Sequence, residues 1–386
     1  MDFELPSEYQ MIKDTVHRFV KEELITLEPV ILAREAKEGI CKLTFEEKKP
    51  LLEKCKELGL WGLDVPEEYD GMNLPAIAMV GVNEAIGSTP VPFTFPPDSP
   101  NLHMLIETAN EIQREKYLMP YARGEMSSAI AISEPGAGAD PSSMSTKAIR
   151  DGSDWVLNGR KIWITRADEA DFTILIAVTD SSKGTRGGMS AFIIDKDTPG
   201  YILEREIPLI GGASNFEIVL EDCRISNEQL LGEEGKGFAP MQNRLVVRRL
   251  QMAAWCVGMA NRALSMMIDQ ANQRETFGVK LAERQTIQWW VADAATKIHA
   301  LRLMVMDAAI KQDKGEDIRT EASMVKVYGT DMASEIIDNA MQSFGAMGVT
   351  KELPLQLMAS DVRTMRIYEG PDEIHKWVVA RKYLNK

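Results

Sequence analysis

Residues 154–165 read DWVLNGRKIWIT. Two strand-like runs flank Asn158-Gly159, a pair suited to the φ > 0 positions of a tight hairpin turn, so the spacing predicts a hairpin there. Further strand candidates follow: DFTILIAVT from 171, GMSAFIIDKD from 188, GYILEREI from 200 and NFEIVLEDCRI from 215. Gly, Pro, Asp and Ser turns separate them, and no helical period intervenes. Consecutive strands without crossover helices predict an antiparallel sheet or barrel rather than βαβ units.

On both sides of this block the apolar period becomes helical. Ser7 and Gln10 form a capping-box pattern, followed by a stripe of Ile12, Val16, Phe19, Val20 and Leu24. Thr44 and Glu47 repeat the pattern before Leu51, Leu52, Cys55 and Leu58, and Gly59 marks the stop. Residues 90–100 are proline-rich and predict a loop. After residue 237, Met- and Ala-rich segments over 240–272, 282–313 and 319–344 read as bundle helices with Met as core filler. The expected fold is α+β and mostly helical. It comprises an N-terminal helical domain (1–122), a central antiparallel β-barrel-like domain (123–236) and a C-terminal four-helix bundle (237–386).

The chain has 386 residues, 45% of them hydrophobic, which is ample for a large core. Its net charge of −14, from 44 basic and 58 acidic residues, argues against nonspecific nucleic-acid binding. Local arginines can still hold phosphate. Cys41, Cys55, Cys223 and Cys256 form no CxxC pair, and His17, His103, His299 and His375 share no ligand spacing, so neither a disulfide framework nor a metal site is indicated. No apolar run reaches membrane length, and the N-terminus shows no cationic, apolar leader. A cytoplasmic protein without membrane insertion is expected.

Five short stretches carry chemistry. SEPGAGAD (133–140) has a Gly-Ala-Gly turn that lets backbone approach a ligand, yet Pro141 stands where a dinucleotide fingerprint would place its third glycine. In KIWIT (161–165), strand alternation puts Trp163 and Thr165 on one face and Ile162 and Ile164 on the other. That face either covers a flat heterocycle or packs in the β core. RETFG (274–278) offers Arg274 either for phosphate or as a helix C-cap. QSFGAMG (342–348) is a glycine-bearing helix end with the same two readings. RIYEGPDEIH (366–375) has three carboxylates. Asp372 and Glu373 suit a helix start after Gly370-Pro371. Glu369, before the break, has no such local role.

In order and spacing, these five stretches together resemble the acyl-CoA dehydrogenase family over nearly the whole chain. The resemblance implies FAD bound without a Rossmann fold, between the β domain and the C-terminal bundle at a subunit interface. Ile130, Ile132 and Ser133 would contact the flavin ring, with Trp163 and Ile164 beside it and Thr165 on flavin N5. Arg274 and Thr276 would reach the FAD of a neighbouring subunit, and Gln285, Gln342 and Gly345 match further FAD-contact positions. Glu369 matches the base that removes the α-proton of an acyl-CoA thioester as the β-hydrogen leaves as hydride, giving a trans-2-enoyl-CoA. Gly370 leaves room for the thioester, and Arg249 matches an arginine near the substrate.

Several positions depart from the family pattern. Ala139 stands at a substrate-side position where Ser is common, Arg284 where His is, Ala346 where Gly is, and Val246 where many members have Asp. Pro371-Asp372-Glu373 replaces a Thr-x-Gln, leaving Glu373 as the candidate FAD contact. Expected partners are an acyl-CoA, an electron-transferring flavoprotein and further copies of the chain as a dimer or tetramer, in a setting such as fatty-acid β-oxidation. Alternatives on the same fold are a flavin oxidase or monooxygenase, or a non-catalytic assembly protein.

Overall fold

The computed structural model describes residues 6–384. Its N-terminal part holds helices α1 (Ser7–Phe19), α2 (Glu28–Glu38), α3 (Phe45–Glu57), α4 (Ala76–Gly87) and α5 (Ser99–Thr108), then two short pieces, α6 (Glu111–Gln113) and α7 (Met119–Ala122). The α3 start carries the full capping box: Thr44 Oγ1 accepts from the Glu47 N–H, and Glu47 accepts from the Thr44 N–H. The expected Ser7–Gln10 box is absent. Pro6 occupies the N-cap and its carbonyl accepts from the N–H groups of Tyr9 and Gln10. Val16, Phe19, Val20 and Leu24 are buried as their spacing predicts.

The central strands are β1 (Ser128–Ala131), β2 (Lys147–Asp151), β3 (Asp154–Thr165), β4 (Phe172–Val178), β5 (Met189–Asp195), β6 (Tyr201–Pro208), β7 (Ser214–Ser226) and β8 (Leu230–Leu231). They form one open, mixed sheet ordered β6-β7-β3-β2-β4-β5-β8, with β1 parallel to β4. This corrects the expected antiparallel barrel. The short β1 feeds SEPGAGAD and a long return before β2, so β1 and β2 both meet β4 in the parallel sense. Alternation along β4 buries both faces. Phe172, Ile174 and Ile176 pack toward the N-terminal helices, while Leu175 and Ala177 join Trp155, Leu157 and Phe192 on the other side.

The predicted hairpin at Asn158-Gly159 is also corrected. β3 runs straight through it, and the turn is Gly152-Ser153, closed by the Asp151–Asp154 pair with Gly152 at φ 65°. Asn158 instead braces a bulge in β7. Its Oδ1 accepts from the Asp222 N–H at 2.9 Å, and Asp222 has φ 45°. A Cβ on Gly159 would lie 2.4 Å from Thr146 Oγ1, so glycine there serves close approach rather than a turn.

Three long helices, α8 (Phe238–Gln273), α9 (Gln285–Asp313) and α10 (Arg319–Phe344), pack with α11 (Leu355–Met365) and α12 (Asp372–Tyr383) around a core that includes Met252, Cys256, Leu301 and Ile336. The expected four-helix bundle thus has a fifth helix among the described residues. Between α8 and α9 a small hairpin pairs β9 (Glu275–Thr276) with β10 (Val279–Lys280). No helix among the described residues is long and apolar enough to cross a membrane, and no group of three or more metal-ligating side chains occurs among them.

Candidate active site

The turn between α11 and α12 holds two consecutive residues at positive φ. Glu369 has φ 56° and Gly370 φ 96°. A non-glycine residue in the left-handed region costs about 1–2 kcal/mol, so its neighbours must hold it. They do: Arg249 Nε and His375 Nε2 both donate to the Glu369 carbonyl, at 3.0 and 3.1 Å. Lys326 Nζ donates to the Gly370 carbonyl at 3.0 Å and to Asp372 at 2.8 Å, and Arg366 Nε donates to Asp372 at 2.8 Å. Asp372 is therefore a buried anchor as well as the start of α12. His375 is buried; that burial, then the cations Arg249 and Lys326, pulls its pKa down to about 4. It is neutral and serves as a donor through Nε2.

The Glu369 carboxylate is asymmetric. Oε1 accepts from Arg244 Nη1 at 2.9 Å, while Oε2 is buried without a partner. A buried acceptor left unsatisfied costs free energy, so this oxygen is a place for a proton or a donor to arrive.

Arg244, Arg248 and Arg249 lie on neighbouring turns of α8, and Arg244 is only 6% exposed. Arg244 Nε donates to Asn101 Oδ1 at 3.0 Å, and Asn101 Nδ2 donates to Ser128 Oγ on β1 at 2.9 Å. A second chain runs from Arg248 to Asp98 and on to Arg166 at 2.7 Å, just past β3. Burial opposes the charge of Asp98, but Arg248, Arg166 and Arg244 hold it well below the usual carboxylate range. Thus α5, α8, β1 and the end of β3 are tied together around Glu369.

The strand end carries the second half of the site. Between Lys161 and Ile164 the β3–β7 register slips by one residue, and Trp163 sits at φ 64°. This bulge turns the indole outward to 51% exposure while Ile162 and Ile164 remain buried. Thr165 is exposed beside it and donates to Asn215 Oδ1 at 3.0 Å. Of the two readings of Trp163, packing in the β core is excluded. The backbone of 130–133 is fixed against this strand: the Ile162 N–H donates to the Ser133 carbonyl, and Lys161 Nζ to the Ile132 carbonyl, both at 3.0 Å. Lys161 also meets Glu134 at 2.9 Å, both buried. Burial opposes Glu134's charge, yet Lys161 and bonds from Ser145 and Thr146 hold it to about 2. Burial lowers Lys161 to about 8, still protonated at neutral pH. SEPGAGAD and KIWIT are therefore locked together by a buried ion pair.

The candidate positions fall into two groups within one chain. Glu369, Gly370 and Arg249 meet directly, and the strip with Ile130, Ile132, Ser133, Trp163, Ile164 and Thr165 connects to them through Ser128, Asn101 and Arg244. Arg274, Gln285, Gln342 and Gly345 lie at helix ends instead, and Thr276 in the β9–β10 hairpin. Gln342 is about 24 Å along α10 from Lys326, and Arg274 about 37 Å along α8 from Arg249. Gly345 has φ 60° with open space beyond its Cβ position, and Ala139 and Glu373 are exposed. An outward-facing indole, a neighbouring hydroxyl, approachable backbone at 130–133 and an unpartnered carboxylate oxygen fit a flat, redox-active ring such as the flavin of FAD.

Sequence reading missed Asp98, Asn101, Arg166, Arg244, Arg248, Lys326 and the role of His375. One signal was present: Arg244 and Arg248, four residues apart, share one face of α8 on either side of the apolar run LVV, where such charge needs buried partners.

The family models for the N-terminal, middle and C-terminal domains of acyl-CoA dehydrogenases match residues 6–125, 129–223 and 235–384. The chain is 42% identical to (R)-benzylsuccinyl-CoA dehydrogenase of Thauera aromatica, covering 100% of this chain and 97% of that protein. It is 35% identical to the caffeyl-CoA reductase-Etf complex subunit CarC of Acetobacterium woodii, covering 98% of each. The solved butyryl-CoA dehydrogenase of Megasphaera elsdenii superposes with a TM-score of 0.87 at 30% identity over the full length of both.

Proposed function

Because this chain belongs to the acyl-CoA dehydrogenase family, an FAD-dependent family of oxidoreductases acting on CH–CH bonds, we propose that Glu369 is the base of its α,β-dehydrogenation. The observation that carries this reading is the divided carboxylate: Oε1 held by Arg244, Oε2 buried and unpartnered. A base must present a free oxygen at a fixed position, and a bound substrate would bring its α C–H to Oε2.

In this reading the α-proton passes to Glu369 Oε2 while the Cα–Cβ double bond forms. Bound FAD supplies the acceptor for the β-hydrogen and its electron pair. The Glu369 N–H, in a backbone segment fixed by Arg249 and His375, polarises the thioester carbonyl and steadies the developing enolate oxygen. Gly370 keeps that approach open, since a Cβ there would stand 3.0 Å from His375 Nε2 in an unfavourable conformation. Trp163 and Thr165 hold the flavin, with the backbone of 130–133. Arg274 and Thr276 reach the FAD of a neighbouring subunit, which requires a homo-oligomer, and Gln285, Gln342, Gly345 and Glu373 are further FAD contacts. An electron-transferring flavoprotein reoxidises the enzyme, in keeping with the Etf-complex relative.

The relatives' names point to aryl-substituted acyl groups, so such thioesters head the panel. Anaerobic mixing of the FAD-loaded protein with aryl, straight-chain and branched acyl-CoAs should bleach the flavin absorbance with at least one of them. Bleaching by none would sink the reading. Fast reoxidation by oxygen with product bound would move the assignment to an oxidase.

A further inference from the structure

Glu369 stands in a cationic nest. Among the described residues, the guanidiniums of Arg244, Arg248 and Arg249 face two carboxylates, Asp98 and Glu369, while the half-exposed Arg166 shares Asp98 and also acts on Glu169. Of the other charged groups near the turn, Asp361 acts on Tyr368, but burial pushes its carboxyl up to about 7, so it supplies only part of a charge. Lys326 and Arg366 share Asp372, with Arg366 also reaching the exposed Asp331, and His375 is neutral. Cations gathered in a part-buried space repel one another, so the arrangement calls for a further anion.

Arg244 is the group placed to receive it. It is 6% exposed and spends one N–H on Asn101 and one on Glu369. Its Nη2 has no acceptor among the described residues, although a planar guanidinium is shaped to take a carboxylate with two parallel bonds. The anions of coenzyme A lie the whole pantetheine arm away from the thioester, so an anion beside Glu369 belongs to the acyl group. It must also sit within a few bonds of the α-carbon, because the same side chain holds the base.

We propose that the substrate's acyl group carries a second, free carboxylate that binds Arg244 beside Glu369, making this enzyme a dehydrogenase of dicarboxylic acid monothioesters. The inference rests on Glu369 being the base. As the α-proton moves to Glu369 that carboxylate becomes neutral, and the substrate's own carboxylate remains as the counter-ion of Arg244. Neutral acyl-CoAs of the same size leave the nest uncompensated, which sets specificity by charge rather than by chain length.

The test uses the FAD-loaded enzyme and two matched pairs, succinyl-CoA against butyryl-CoA and glutaryl-CoA against pentanoyl-CoA. Binding is followed by calorimetry and flavin bleaching by anaerobic stopped flow. In at least one pair the carboxylated thioester should bind about tenfold or more tightly, the worth of a charge-assisted pair. Arg244→Gln should erase that preference and Arg244→Lys should keep part of it, with FAD content and thermal midpoint checked in both variants. Preference for the neutral member in both pairs, an equal loss for both members in Arg244→Gln, or loss of FAD from that variant would overturn the proposal. Arg244-dependent tight binding without bleaching would instead keep the carboxylate site and remove Glu369 as the base.

Discussion

Arg244 Nη1 stands 2.9 Å from Glu369 Oε1, while Oε2 of the same carboxylate is buried with no partner. One oxygen is thus an anchor and the other is left for chemistry. Glu369→Gln separates the two roles, because the amide oxygen still accepts from Arg244 but the nitrogen cannot take a proton. Flavin bleaching by an active acyl-CoA should slow at least about 100-fold, with FAD content unchanged. Stopped-flow absorbance under nitrogen reads this directly, and bleaching at the parental rate would mean another group is the base.

Trp163 is the next test. Its indole is held outside the β core by the bulge after Lys161, so truncation removes little packing. Trp163→Ala should leave the melting temperature of the FAD-free protein within a degree or two. The affinity for FAD should fall several-fold to about tenfold, the scale of an aromatic stacking contact. Fluorescence titration of the FAD-free protein with FAD measures it. A variant that melts early yet binds FAD normally would show the indole to be structural.

How much of this was legible beforehand depended on range. Periodicity located the long helices over 282–313 and 319–344 and the strands after 171, because amphipathic patterns are local. Asn158-Gly159 misled for an equally physical reason: the same dipeptide suits a tight turn and a bulge brace, and only the contacts with Asp222 and Thr146 separate the two. The parallel sense of β1 was hidden because nothing in its four residues, Ser-Ala-Ile-Ala, specifies a partner. Glu369 stood out because it had no local role, and Trp163 and Thr165 because strand alternation set them on one face. Asp98, Asn101 and Arg244 did not stand out, since their meaning lies in contacts more than a hundred residues apart.

The Glu134–Lys161 pair should dominate the stability of the flavin-facing loop. Both side chains are buried, so Glu134→Gln leaves an uncompensated ammonium in the interior. A loss of about 3–5 kcal/mol is expected, accompanied by weaker FAD binding as residues 130–133 loosen. Glu57→Gln provides the contrast. It breaks an exposed pair with Lys54 and should cost no more than about 0.5 kcal/mol. Urea unfolding of the two variants compares them, and similar losses would refute the assignment of the loop's rigidity to the buried pair.

His375 gives the protein an acid-sensitive contact directly behind the candidate base. Its imidazole titrates near 6.5 in an unfolded chain but at about 4 here, because it is buried and faces Arg249 and Lys326. Between those values the unfolded chain binds the additional proton. The contribution is therefore complete above pH 6.5 and falls as the pH drops toward 4. From pH 7 to pH 5 this one group should remove about 2 kcal/mol of stability. His375→Gln should be less stable than the parent at pH 7 by about 1 kcal/mol, the worth of the bond to the Glu369 carbonyl. Its stability should nevertheless change about 2 kcal/mol less between the two pH values. Urea unfolding of both proteins at pH 7 and pH 5 decides it: equal pH dependence in the two would mean that another group carries the acid sensitivity.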